Sequence, residues 1–225
     1  MNYGVVVAGG KSERMGPDVD KAFLSLGTQP VLAYSLLAFE KCTDIDGVIL
    51  VVRKDRVDAA RGMIHIFGCS KVKRVVAGGA TRQASVMNGL EMLGPDVKVV
   101  AVHDGARPCV TPELISETIK SAKKHGSGVA AVKITDTIKH VEKGLTVSKT
   151  VDRARLWAVQ TPQTFQLALL LKAFDHVSKK KLSITDEASA VECVADDVRL
   201  VQGFLSNIKI TTPDDLNLAA ALLKL

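Results

Sequence analysis

Val5-Val6-Val7-Ala8-Gly9-Gly10-Lys11-Ser12-Glu13-Arg14-Met15-Gly16-Pro17-Asp18-Val19-Asp20-Lys21 opens as a β-branched run and breaks into a glycine pair. A continuous apolar run of this length suits a strand covered on both faces, as in a parallel sheet. Glycines at the end of such a strand let backbone N–H groups approach a phosphate closely. Arg14 and Lys21 add two fixed positive charges to the same loop. Ligands of open α/β sheets bind beyond the carboxyl ends of the strands, so the loop is expected to line the binding cleft. Two commoner glycine loops are excluded. Gly10-Lys11-Ser12 matches the end of a P-loop, but position 5 is Val where that motif needs Gly. Gly9 and Gly16 lack the spacing of the dinucleotide fingerprint.

The pattern set by this stretch repeats along the chain. Strands are expected at 4–8, 48–52, 72–77, 97–102, 128–134 and 198–201, with amphipathic helices at 31–42, 57–67, 81–93 and 112–125 between them. Thr111-Pro112 and Thr212-Pro213 each read as an N-cap followed by Pro at the first helical position, and 216–223 closes the chain as a helix. Alternation of this kind predicts one α/β domain over 1–225, built on a Rossmann-like, mostly parallel, helix-covered sheet. Residues 136–152 break the rhythm. They are polar and strand-like, with Lys143-Gly144 as a turn, and predict a protruding β-arm: either a surface excursion or a dimerisation element.

Composition narrows the function. Aromatics are 4% of the chain, too few for a base-stacking platform, so nucleic acid is not expected as a partner. The net charge of +6 lies in no concentrated stripe and suits small anions such as nucleotides. Cys42, Cys69, Cys109 and Cys193 form no Cys-x-x-Cys pair, which argues against zinc and redox motifs and for reduced thiols in a cytoplasm. The chain opens directly on a strand-like run, and no apolar stretch approaches 18 residues, so neither export nor a membrane span is expected.

Further blocks carry chemistry-bearing residues at element boundaries. Gly78-Gly79-Ala80-Thr81-Arg82-Gln83-Ala84-Ser85-Val86 follows a strand and opens a helix, and His103-Asp104-Gly105-Ala106-Arg107-Pro108 follows the most apolar strand. Thr150-Val151-Asp152-Arg153 and Trp157-Ala158-Val159-Gln160-Thr161-Pro162-Gln163 come after the arm. Thr185-Asp186-Glu187-Ala188-Ser189 opens a late helix, and Asn207-Ile208-Lys209-Ile210-Thr211 alternates as a last strand that aims Lys209 opposite to its apolar neighbours. With Ala8-Gly9-Gly10 and the downstream Arg14-Met15-Gly16, these blocks in this order resemble the IspD family of 2-C-methyl-D-erythritol 4-phosphate cytidylyltransferases over essentially the whole chain.

The resemblance implies a CTP-dependent nucleotidyltransferase. It would move CMP from CTP to a sugar-alcohol phosphate with release of pyrophosphate, use Mg²⁺ and work as a homodimer in the cytoplasm. By the same resemblance Arg14, Lys21, Arg153 and Lys209 are catalytic, the first two on the α-phosphate and the last two on the acceptor phosphate. Ala8, Gly9, Gly10, Gly79 and Ser85 would bind the nucleotide. Asp104, Arg107, Thr137, Thr161 and Thr185 would contact the acceptor. No residue is assigned as a direct metal ligand, although Asp104 is also a candidate indirect partner of the metal. Asp20 stands where the family commonly has Pro, and Ala80 where an acidic residue is often found. Ribitol 5-phosphate is the alternative acceptor. A nicotinamide-dependent dehydrogenase and a non-catalytic binding module are the readings from other classes. His103 is expected to be a packed, hydrogen-bonded core residue rather than a catalyst.

Overall fold

The computed structural model describes residues 1–10, 15 and 20–225, so Arg14 lies outside the described residues. In chain order the elements are strands β1 (Asn2–Ala8), β2 (Ser25–Leu26) and β3 (Gln29–Pro30), helix α1 (Val31–Lys41), β4 (Gly47–Val52), α2 (Val57–Ile66), β5 (Val72–Ala77), α3 (Arg82–Leu90), β6 (Val99–Asp104) and α4 (Pro112–His125). They continue with β7 (Ser127–Lys133), β8 (Ile138–Lys143), β9 (Thr146–Val151), β10 (Trp157–Gln166), α5 (Leu167–Lys180), α6 (Glu187–Glu192), β11 (Leu200–Gln202) and α7 (Pro213–Leu223).

A seven-stranded sheet runs in the order β11-β7-β10-β6-β1-β4-β5. Neighbours pair in parallel except around β10, which is antiparallel to both β6 and β7. The expected mostly parallel α/β fold is therefore present. Strands β4 and β6 are buried throughout and β1 from Gly4 onward, and the strand period of two sorts their side chains onto opposite faces. Val6 and Ala8 of β1 pack with Leu36 and Phe39 of α1, Met63 of α2 and Ile115 and Ile119 of α4. Val5 and Val7 pack on the other face with Val86 and Leu90 of α3, Phe174 of α5 and Val191 of α6. Each fully buried valine contributes about 1.5–3 kcal/mol relative to exposure, which is why a run such as 5–7 commits to the sheet centre.

Local chemistry sets the helix ends. Thr111 Oγ1 accepts from Leu114 N, Pro112 stands at the first turn of α4, and Gly126 closes it at φ +87. Thr212 and Asp215 form a capping box around Pro213 of α7.

Three regions differ from the sequence expectation. β10 was legible only as a motif block, because Gln160, Pro162 and Gln163 interrupt its apolar pattern and Pro argues against an interior strand. The structure accommodates them with a register shift between Val159 and Gln163. Of α5 the sequence marks only Lys179-Lys180-Lys181, a run that reads as a solvated helix end. Residues 207–211 form no strand. They cross the carboxyl end of β6, where Ile210 N donates to Ala106 O at 2.8 Å. Asn207 Nδ2 bonds Gln160 Oε1 and Thr161 O, so side chains hold a segment that has no ladder. The arm forms as expected: β8 and β9 are antiparallel, and Gly144 turns between them at φ +61.

Candidate active site

The carboxyl ends of β1, β5 and β6 surround a cleft of about 680 Å³. Ala8, Gly9 and Gly10 extend from β1 along one wall with Lys21, while Gly79–Ser85 residues at the start of α3 form another. Asp104, Ala106, Lys209 and Thr211 complete the lining. Gly105 fits below because a Cβ there would meet Leu32 Cδ1 at 2.8 Å and Ala8 Cβ at 3.1 Å.

The α3 wall is shaped by backbone bonding. Thr81 Oγ1 caps α3 by accepting from Ala84 N at 3.0 Å. Ser85 Oγ accepts from Gly79 N at 3.1 Å and donates to Thr81 O at 2.9 Å. A Cβ on Gly79 would lie 2.5 Å from Ala84 Cβ, so only glycine permits this turn. Ser85 therefore fixes the turn at Gly79.

The cleft floor is an ion network. Asp104, buried at the end of β6, has Lys209 Nζ at 2.7 Å and Arg82 Nη2 at 3.2 Å. Arg82 also grips buried Glu187 with Nη1 at 2.5 Å and Nη2 at 2.9 Å. Burial alone would raise the pKa of Asp104. The attraction of Arg82, then Lys209 with its hydrogen bond and Arg107, outweighs it and holds the carboxyl well below the usual carboxylate range. Burial likewise opposes the charge on Arg82, but Glu187 and Asp104 raise its pKa above the ordinary arginine value. Arg82 and Glu187 were not singled out from sequence. Arg82 lay inside the quoted 78–86 block; nothing local marked Glu187 as its partner.

A second, neutral chain lies beneath. Asp104 N donates to Thr161 Oγ1 at 3.1 Å, and Thr161 Oγ1 lies 3.0 Å from His103 Nδ1. His103 Nε2 is 3.4 Å from Arg107 O. Arg107 O can only accept, so Nε2 carries the hydrogen of the neutral ring and Nδ1 accepts from the Thr161 hydroxyl. Burial pushes the His103 pKa down to about 3, so the ring is neutral near physiological pH. Its tilted contact with Phe39, with centroids 5.4 Å apart, completes a packed core histidine.

The sequence-derived residues do not all converge. Ala8, Gly9, Gly10, Lys21, Gly79, Ser85, Asp104 and Lys209 line one cleft. Thr161 is buried beneath it and reaches it through Asp104. Arg107 stays behind the cleft lining: its Nε lies 3.9 Å from Asp104 Oδ2, and its Nη1 donates to Asn207 O at 2.7 Å and secures the segment carrying Lys209. Thr185 lines an adjoining recess of about 260 Å³ that shares Thr81 and Arg82 with the cleft. Thr137 and Arg153 are exposed at the base of the arm, 3.5 Å apart and outside the cleft lining. Among the described residues no cluster of three or more His, Cys, Asp or Glu could hold a metal by itself.

The family model described as "IspD: 2-C-methyl-D-erythritol 4-phosphate cytidylyltransferase" matches residues 3–225. A protein of that name from Alkaliphilus oremlandii is 42% identical over 221 residues, 98% of this chain and 94% of the relative. The crystal structure of 4-diphosphocytidyl-2C-methyl-D-erythritol synthase from Anaerococcus prevotii superposes with a TM-score of 0.86 at 30% identity, covering 100% of this chain and 96% of that one. The Francisella tularensis 2-C-methyl-D-erythritol 4-phosphate cytidylyltransferase structure gives 0.83 at 32% identity, covering 98% and 99%.

Proposed function

This chain belongs to the 2-C-methyl-D-erythritol 4-phosphate cytidylyltransferase (IspD) family, and on that footing we propose how its own residues divide the work. It is a CTP-dependent nucleotidyltransferase of isoprenoid biosynthesis that transfers CMP from CTP to 2-C-methyl-D-erythritol 4-phosphate. Pyrophosphate is the leaving group. The matched relatives carry the methylerythritol name, so the ribitol alternative is not favoured.

The reaction is an in-line attack of a phosphate oxygen on an α-phosphorus. Positioning and charge stabilisation supply most of the rate, and no acid–base pair is required. The cleft supports that economy: Gly9 and Gly10 expose backbone beyond the carboxyl end of β1, and Lys21 stands on the same wall. In this reading the backbone of Ala8, Gly9 and Gly10 cradles the triphosphate. Lys21, with Arg14, neutralises charge as it develops on the α-phosphate. The turn that Ser85 fixes at Gly79 receives the cytosine. Asp104 accepts from acceptor hydroxyls, and Lys209 holds the acceptor phosphate. Arg107, Thr161 and Thr185 serve from behind or beside these contacts.

Mg²⁺ is part of the proposal. Such an ion keeps several waters and binds through substrate phosphates with one or two carboxylates. Among the described residues the cleft lining holds two carboxylates: Asp104, already surrounded by cations, and Asp20, which is committed to Ala22 N and Arg56 and is not assigned to the ion. That donor set fits an ion held chiefly by CTP, with Asp104 reaching it through water. When bound, Mg²⁺ would neutralise triphosphate charge and favour departure of pyrophosphate.

A homodimer is proposed from the arm. Leu145 is 98% exposed and Val147 52%, apolar surface that a second subunit would cover. Arg153 and Thr137 would then complete the partner's acceptor site, consistent with their distance from this chain's own cleft lining. Cytoplasmic residence belongs to the same reading; Cys42, Cys69 and Cys109 are buried thiols, and none of the described helices is long and apolar enough to cross a membrane.

The carrying observation is the single cleft that unites Gly9, Gly10, Lys21, Asp104 and Lys209. The test is pyrophosphate release with CTP, with methylerythritol 4-phosphate and ribitol 5-phosphate compared side by side. Turnover is expected with the first acceptor, lost in chelator and restored by Mg²⁺. Equal rates without metal, or preference for ribitol 5-phosphate, contradict the corresponding part of the reading.

A further inference from the structure

Asp20 is a buried carboxylate on the wall of a cleft built for polyphosphate. It is 5% exposed, lines the cleft and immediately precedes Lys21. An uncompensated negative charge there would oppose an incoming triphosphate. Asp20 also shapes the chain around Lys21. Its Oδ1 accepts from Ala22 N at 3.2 Å, and its carbonyl accepts from Phe23 N at 3.0 Å. Leu32 N then donates to Ala22 O at 2.9 Å, tying this turn to α1.

The remaining oxygen, Oδ2, has no hydrogen bond among the described residues, and neither has Arg56 Nε. These two buried atoms face each other at 3.5 Å. The gap is long for a hydrogen bond but within ion-pair range. Arg56 comes from the 3₁₀ turn Lys54–Arg56 after β4, and its guanidinium carbon lies 5.7 Å from the Phe23 ring centroid. One arginine thus touches both ends of the turn that carries Lys21 and Ala22. Neighbouring Arg53 is bonded to Asp55 through Nε and Nη2 at 3.0 and 2.9 Å and adds a weaker attraction on Asp20, while Arg56 Nε stands 3.5 Å from Asp20 Oδ2 and 3.8 Å from Asp55 Oδ2.

We propose that Arg56 is a positioning residue: its pairing with Asp20 fixes the 20–23 turn that presents Lys21 and cancels a carboxylate charge that would otherwise repel CTP. The inference rests on the reading of Lys21 as the cation acting on the α-phosphate. It concerns residues outside the ligand contacts already assigned. The Asp20 carboxylate is thereby useful as a turn-former through Oδ1 and harmless as a charge through Arg56.

The experiment compares Arg56→Met, Arg56→Lys, Asp20→Asn, the Arg56→Met/Asp20→Asn double variant and Lys21→Met. Each is assayed for kcat and for KM of CTP and acceptor separately, with thermal unfolding recorded. Arg56→Met should lower kcat about tenfold and raise KM for CTP, leaving KM for the acceptor unchanged, because only the nucleotide wall is disturbed. Arg56→Lys should recover most of the loss. Asp20→Asn keeps an oxygen for Ala22 N and should stay close to the parent. The double variant should return to about the Asp20→Asn level, since the charge that Arg56→Met exposes is gone. If Arg56→Met proves unstable, Asp20→Asn must restore its unfolding temperature. Parent-like kinetics for Arg56→Met with Lys21→Met inactive overturns the proposal, as does a double variant no better than Arg56→Met. A fully active Lys21→Met removes the catalytic reading of Lys21 and the positioning half of the inference; the charge-cancelling half is then decided by the double variant and KM for CTP alone.

Discussion

Lys209 Nζ lies 2.7 Å from Asp104 Oδ2 on the floor of the cleft. On the proposed role of Lys209, an acceptor phosphate would have to draw the ammonium away from this carboxylate, and the pair would set the strength of the acceptor subsite. A dianionic phosphate is a stronger competitor for the cation than a carboxylate already shared with Arg82. Lys209→Met should lower kcat/KM for the acceptor by about 10²-fold while CTP binding, measured by calorimetry, persists. Loss of CTP binding with acceptor binding intact would place Lys209 in the nucleotide subsite instead.

Arg82 bridges two carboxylates that the fold buries, Asp104 and Glu187. Arg82→Met leaves both without their shared cation, and removing one partner from a buried ionic group typically costs about 3–5 kcal/mol. Urea unfolding should show a loss of that order. Adding Glu187→Gln should restore part of it, because one of the stranded charges is removed. No change in midpoint for Arg82→Met would mean that the network contributes little to stability.

His103 makes stability depend on pH with a definite sign. Its folded pKa is depressed to about 3, whereas an unfolded histidine titrates near 6.5. Between those values the unfolded chain binds the extra proton, so the protein loses stability as pH falls below about 6.5 and keeps the full contribution above it. From pH 6.5 to 4.5 this amounts to on the order of 2–3 kcal/mol from His103. His103→Gln should be less stable at neutral pH but show a shallower decline over that window. Parallel stability curves for parent and variant would refute the assignment.

The exposed arm leads to a complementation experiment. Lys21→Met disables one wall of the cleft and Arg153→Met the residue at the arm base, so each variant alone should be inactive. If the arm reaches a partner, mixed dimers contain one site with an intact Lys21 and an intact donated Arg153. Activity should return on mixing after subunit exchange. Continued inactivity, with exchange verified by mass, means that each chain completes its own site.

What the sequence determined by itself follows from short-range physics. The run 5–7 and its counterparts in β4 and β6 must be covered on both faces, Thr111-Pro112 and Thr212-Pro213 must start helices, and the glycine pair at 9–10 must end the first strand. These statements depend on residues within a few positions of one another, and the structure bears them out. The family could also be read, since ordered blocks survive as local strings. Tertiary structure alone decided the pairings. Glu187 became the partner of Arg82, and His103 claimed the Thr161 hydroxyl. Asn207 and Arg107 replaced a strand ladder in holding Lys209. The polar strand β10 was hidden for the same reason: Gln160 and Gln163 are tolerable inside it only because Asn207, Phe204 and Asp186 supply their hydrogen-bond partners. Burial of a charge or amide is stabilising or ruinous according to what stands within about 3 Å of it, and that distance is fixed by the path of the whole chain.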